Sequence, residues 1–184
     1  MKDELNKDGF DLTHPVQRGV IIDMDKTQDI LHYIFEKQMN LDTKCINVLM
    51  TDSPFNTKKN KMEIADRMFD FFKVKSFALM NTAVLSLFST GKTCGLVAEC
   101  GEGISYTVPV FEGYALPHAM HFIPVAGKDV TDKLQKELGL KPRHSQYVRD
   151  MKEQMCHVAL DFDDEYRNND DPLSYEQRQY ELPD

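Results

Sequence analysis

Short apolar strands alternating with amphipathic helices predict a layered α/β fold. In the first half, the strand-like runs Val16–Ile22, Ile46–Met50 and Val74–Met80 are separated by segments whose apolar residues recur every three to four positions. In the second half, Leu96–Cys100 and Ile104–Pro109 flank a tight glycine–acid–glycine turn, Gly101-Glu102-Gly103, which reads as a β-hairpin.

The elements follow in order. Residues 1–13 are polar and read as a loose N-terminal segment. Val16–Ile22 is a strand. Asp25, with Gln28 three positions on, has the pattern of a capping box, and Ile30, Leu31, Ile34 and Phe35 continue at helical spacing. Ile46–Met50 is a short buried strand closed by the turn residues Thr51-Asp52-Ser53-Pro54. The basic run Lys58-Lys59-Asn60-Lys61 opens a helix that places Ile64, Met68 and Phe71 on one face. Val74–Met80 is the next strand, and Asn81–Phe88 is an apolar helix stopped at Gly91. After the hairpin come a strand near Met120–Ile123 and helices over Lys128–Leu138 and Gln146–Phe162. Arg167 to Pro172 is a polar loop, and the chain shows neither an internal repeat nor a long linker.

A chain of 184 residues suffices for one domain or two small ones. At 41% hydrophobic and 28% charged residues the balance is that of an ordinary globular protein. No apolar run approaches the ~20 residues of a membrane span, and the charged start has no signal-peptide core, so a soluble intracellular protein without membrane partners is expected. A net charge of −8 argues against direct nucleic-acid binding, which needs clustered Lys and Arg. Cys45, Cys94, Cys100 and Cys156 form no CxxC pair and lack histidines at zinc spacing, so they read as buried, reduced thiols. The 10 Met and 11 Phe suggest a well-filled core.

The glycine tip carries the sharpest chemistry. Glycines there let backbone N–H groups converge into a small anion cradle, although an ordinary glycine hairpin has the same sequence. Ser89-Thr90-Gly91-Lys92-Thr93 looks like the tail of a P-loop, but the glycine required five positions before Gly91 is Ser86, which excludes it. His118 follows Pro117 with no nucleophile or acid in reach by sequence, so it reads as structural.

Ordered blocks surround the tip: His14-Pro15-Val16-Gln17-Arg18-Gly19-Val20, Ala83-Val84-Leu85-Ser86-Leu87-Phe88, Glu99 to Val110, and Phe111 to Ala119. Ala126 to Asp132, Val148 to Glu153, Val158 to Phe162, and Tyr180-Glu181-Leu182-Pro183-Asp184 follow. Together they closely resemble the actin family, from about His14 to Asp184.

The resemblance implies a partial actin-like fold of the ribonuclease H-like, ATPase-clamp type, with two incomplete lobes (residues 14–90 and 91–184) joined by a hinge helix at 81–90. It implies ATP with magnesium as cofactor. Gly101, Glu102, Gly103 and Ile104 would hold the β- and γ-phosphates, and Glu99 would be the acid at the metal's water. Arg149, Lys152 and Glu153 would lie near adenine and ribose, with Lys128 and Asp129 on the opposite wall. A solvated helix face with Arg149 paired to Glu153 explains that trio equally well. Phe88, Gly91 and Thr93 would border a partner groove, or form a buried hinge end.

Several positions depart from the family. Glu99 and Glu102 replace aspartates, Cys100 a serine and Tyr106 a histidine. Thr82 stands where a glutamine positions the hydrolytic water, so no catalytic residue is assigned. A longer acid displaces a magnesium-bound water, and a shorter hydroxyl cannot span the glutamine's reach. Hydrolysis is therefore expected to be slow or absent, at most that of a weak ATPase. No segment within residues 1–184 resembles the family's first-lobe phosphate hairpin or the one that underlies the adenine. An open sheet edge at 18–22 and exposed helix faces at Val158 and Leu160 are therefore expected.

The resemblance thus implies an actin-like cytoskeletal protein of the cytoplasm, partnered by actin or actin-like protomers and actin-binding proteins. The alternatives are a non-catalytic actin-related interaction subunit of a larger, nuclear assembly, or a truncated inactive relic.

Overall fold

The computed structural model describes residues 13–167 and 180–181. The chain divides into two compact units, Met1–Ala126 and Gly127–Asp184. It is a mixed α/β architecture of several small sheets and helices.

The first unit opens on β1 (Val16–Gln17) and β2 (Val20–Ile21), an antiparallel pair. The expected single strand over 16–22 is thus a hairpin. Its two linking residues, Arg18 (φ 47°) and Gly19 (φ 74°), both adopt the left-handed conformation that reverses a chain in two residues. Helix α1 (Met24–His32) is capped by Asp23, whose carboxylate accepts the Lys26 N–H at 3.0 Å. That bond holds the Asp23 carboxyl below its ordinary range. The expected capping pair serves elsewhere: Gln28 and Asp25 accept from the Arg67 guanidinium at 2.7 and 2.8 Å. A π-helical turn, Tyr33–Gln38, prolongs α1 and buries Phe35, while Ile30 stays exposed.

Strand β3 (Asn47–Asp52) runs two residues into the expected turn and pairs in parallel with β4 (Ser76–Asn81), from Asn47↔Ser76 to Asp52↔Asn81. Helix α2 (Lys58–Asp66) starts at the basic run, as expected, with the Thr57 hydroxyl accepting the Asn60 N–H at 3.2 Å. A second π-helical turn, Arg67–Phe71, follows it. The wider turn shifts the buried face by one residue: Phe72 is 5% exposed and Phe71 48%. Ile64 and Met68 are buried as expected. Phe35, Met68, Phe72 and Val74 form one core, against which Val48, Met50 and Phe77 pack.

Helix α3 (Thr82–Ser89) leaves β4 without a loop. The Asn81 side chain accepts the Ala83 N–H at 2.9 Å, and Gly91 (φ 77°) follows the end of the helix. The third sheet is β5 (Gly95–Cys100), β6 (Ser105–Phe111), β7 (Tyr114–Ala115) and β8 (His121–Ile123), with β6 at its centre. Glu112 (φ 49°) and Gly113 (φ 81°) turn β6 into β7. The inward residues Tyr106, Val108 and Val110 meet Ala83, Val84 and Leu87 of α3 in a second core.

In the second unit α4 (Gly127–Glu137) buries Thr131 and Gln135, and α5 (Ser145–Met155) buries Val148. The expected long helix to Phe162 stops at Met155; a shorter α6 (Phe162–Arg167) begins after a non-helical segment. Asp161 explains the restart, since its carboxylate accepts the N–H groups of Asp163 and Asp164 at 3.1 and 3.2 Å. Val158 and Leu160 are fully exposed as anticipated, but on this segment rather than on a helix. Of the polar loop at 167–172 and the block at 180–184, only Arg167, Tyr180 and Glu181 lie within the described residues.

The cysteines overturn an expectation. All four are free and exposed rather than buried. Cys100 sits at the outward end of β5, and Cys94 lies before it, where its sulfur accepts the Glu112 N–H at 3.2 Å.

Candidate functional site

Hairpin parity and helix spacing together build the site. Glu99 and Tyr106 are directly opposed across β5 and β6, so their side chains share one face. That face packs on α3, where Thr82 and Ser86 are four residues apart and point the same way.

The four side chains join in one hydrogen-bonded chain. The Tyr106 hydroxyl donates to Oε2 of Glu99, and the Ser86 hydroxyl donates to Oε1 of the same carboxylate. Thr82 Oγ1 lies 2.7 Å from the Tyr106 oxygen and 3.4 Å from the carbonyl oxygen of Asp52. The Tyr106 proton points at Glu99, so Thr82 is the donor in its bond to the phenol. Burial, followed by the Glu99 hydrogen bond, pushes the Tyr106 phenol up to about 12. The group is therefore a neutral donor throughout the physiological range.

The hairpin tip closes when the Gly101 N–H donates to the Ile104 carbonyl at 2.9 Å. Gly101 and Glu102 are exposed; Gly103 and Ile104 are half-buried. Neither tip glycine has a positive φ, so backbone conformation does not demand glycine there. Space is tight at Gly101, where a Cβ would stand 3.2 Å from the Ile104 carbonyl oxygen and the tip would have to give slightly. A Cβ on Gly103 would meet the Arg18 backbone nitrogen at an ordinary 3.5 Å. A Cβ on Gly19 would lie 3.0 Å from the Ser53 hydroxyl and 3.6 Å from Ile104. The tip, the β1–β2 turn and Ser53 therefore converge.

Sequence reasoning located Thr82, Glu99 and Tyr106 as separate departures, and the fold brings them together. It missed Ser86 as a partner of Glu99, although the Thr82–Ser86 spacing carried the signal. It also missed the approach of Arg18 to Gly103, which joins residues far apart in sequence. Cys100 accepts from the Ser105 hydroxyl at 3.2 Å.

The remaining candidates are placed as follows. In the second unit, Arg149 pairs with Glu153 at 2.9 Å on α5. Lys152 donates to the Gly127 carbonyl and to Thr131 Oγ1, both at 2.9 Å. Lys128 pairs with Asp132 at 3.6 Å, and Asp129 lies in the first turn of α4. In the first unit, Phe88 is exposed at the end of α3, and Gly91 and Thr93 are exposed after it. A Cβ on Gly113 would come within 3.0 Å of the Phe88 ring. His118 is exposed on a short 3-10 turn.

Compared with known protein families, residues 2–145 match the family described as actin.

Proposed function

Because the chain belongs to the actin family, we propose that it is an actin-like cytoskeletal protein that takes ATP phosphates at the Gly101–Ile104 tip and hydrolyses them poorly. The observation that supports this reading is the chain Thr82–Tyr106–Glu99–Ser86. Phosphoryl-transfer enzymes work mainly by positioning water and charge. Thr82, at the position of the water-orienting glutamine, is bonded to a phenol instead. Tyr106, at the position of a histidine that helps orient that water, is a buried donor to Glu99. A phosphate would meet backbone amides at the tip other than that of Gly101, which donates to Ile104, rather than these side chains, so binding is expected to survive where turnover does not. The hinge role of α3, between the β3–β4 sheet and the hairpin, belongs to the same proposal, as does a cytoplasmic, cytoskeletal location.

The test is a fluorescence titration of the full chain with etheno-ATP, paired with an assay of released phosphate. Saturable binding with release no faster than in buffer supports the proposal. An affinity weaker than millimolar removes the nucleotide from it, and sustained phosphate release removes the impaired hydrolysis.

A second reading is an interaction subunit of a larger assembly, with a nuclear location as its alternative. The exposed apolar residues Phe88, Leu96, Phe111 and Tyr114 favour it. Pelleting with filamentous actin tests this, and a chain left in the supernatant at every actin concentration counts against it.

A further inference from the structure

Family resemblance implies magnesium beside the nucleotide, with Glu99 as the acid that holds its water. The donor set of this chain does not fit that task. Magnesium keeps a near-ideal octahedral shell of waters, so an acid that holds one of them must turn a free oxygen toward it at a fixed place. Each oxygen of Glu99 already accepts a hydroxyl proton, one from Tyr106 and one from Ser86. The cross-strand register lays the carboxylate toward Tyr106, and α3 supplies the second donor. Relative to an aspartate, the extra methylene is what lets Glu99 reach both.

We infer that Glu99 is a strut between the phosphate hairpin and α3 rather than a metal-site acid, and that the hairpin takes its phosphate ligand without a divalent cation. The inference rests on the phosphate-binding reading above. Its ligand class is the uncomplexed phosphate ester, met by tip amides other than that of Gly101, whose N–H closes the hairpin on Ile104. The residues thus replace an ion-mediated contact with a hydroxyl-braced hairpin whose shape is set before the ligand arrives.

The experiment is the etheno-ATP titration of the full chain in excess MgCl2 and again in excess EDTA. The expected dissociation constants agree within about twofold or are tighter in EDTA. A constant more than tenfold tighter in magnesium overturns the inference and leaves the phosphate-binding reading standing. Absence of binding in both conditions overturns both. The double variant Tyr106→Phe, Ser86→Ala releases the Glu99 carboxylate and is expected to gain at least about fivefold in affinity from magnesium. Its far-ultraviolet circular dichroism and melting curve, compared with the parent chain, show that it has folded. A folded double variant that remains indifferent to magnesium also overturns the proposed role of Glu99.

Discussion

Raising the pH tests what Tyr106 contributes. Its phenol is buried, donates to Glu99, and is held up at about 12 against an ordinary value of about 10. Below pH 10 the group is protonated in both the folded and the unfolded chain, so its contribution is fully present. Between about 10 and 12 the unfolded chain releases the proton more readily, and stability drains away. The melting temperature of the parent chain should therefore fall more steeply across this window than that of Tyr106→Phe; parallel curves for the two chains would remove the effect. A second residue-scale prediction concerns glycine. Gly91 and Gly113 both have positive φ, but only at Gly113 would a Cβ strike a ring, that of Phe88 at 3.0 Å. Gly91→Ala should cost the left-handed strain alone, about 1–2 kcal/mol. Gly113→Ala should cost more, since overpacking adds about 1–3 kcal/mol. Urea midpoints of the two variants give the comparison.

At the scale of elements, local signals were legible where one principle acted alone. The α2 start, the α3 cap-to-glycine span and the β5–β6 hairpin all follow from capping, periodicity and turn residues. The misreadings have definite physical origins. A two-residue turn of left-handed backbone hid inside an apolar run at Val16–Ile22. The box at Asp25 and Gln28 was claimed by Arg67 from another helix, a tertiary contact no local pattern announces. The Asp161 cap cut a long amphipathic pattern in two. The site was half legible for the same reason. Residue types marked Thr82, Glu99 and Tyr106, but only the register of β5 on β6 and the packing of α3 show that they touch. The π-helical turn after α2 gives an element-scale prediction. Phe72→Ala should cost about 3–5 kcal/mol as a core truncation, whereas Phe71→Ala, at a half-exposed position, should cost about 1 kcal/mol or less. An uninterrupted α-helix would reverse that order, and denaturant midpoints decide.

For the whole molecule, stability is distributed unevenly. Strand β6 is the centre of its sheet, paired to β5 on one side and to β7 and β8 on the other, and it buries Tyr106, Val108 and Val110. The segment between α5 and α6 leaves Val158 and Leu160 in water. Local opening follows buried contact and hydrogen bonding. Amide hydrogen exchange followed by mass spectrometry should therefore show β6 as the most protected peptide of the first unit and residues 156–161 among the least protected of the second. Rapid exchange across β6 would mean that this four-stranded sheet does not persist in solution.

The outward thiols of Cys94 and Cys100 turn the hairpin into its own ruler. One sits just before β5 and the other at its far end, and six residues of extended chain span about 20 Å. Maleimide-linked spin labels on these two sulfurs, with Cys45 and Cys156 changed to serine, would report that separation directly. A sharp distance distribution, unaltered when ligand is added, is the spectroscopic signature of a ribbon already rigid in the empty protein.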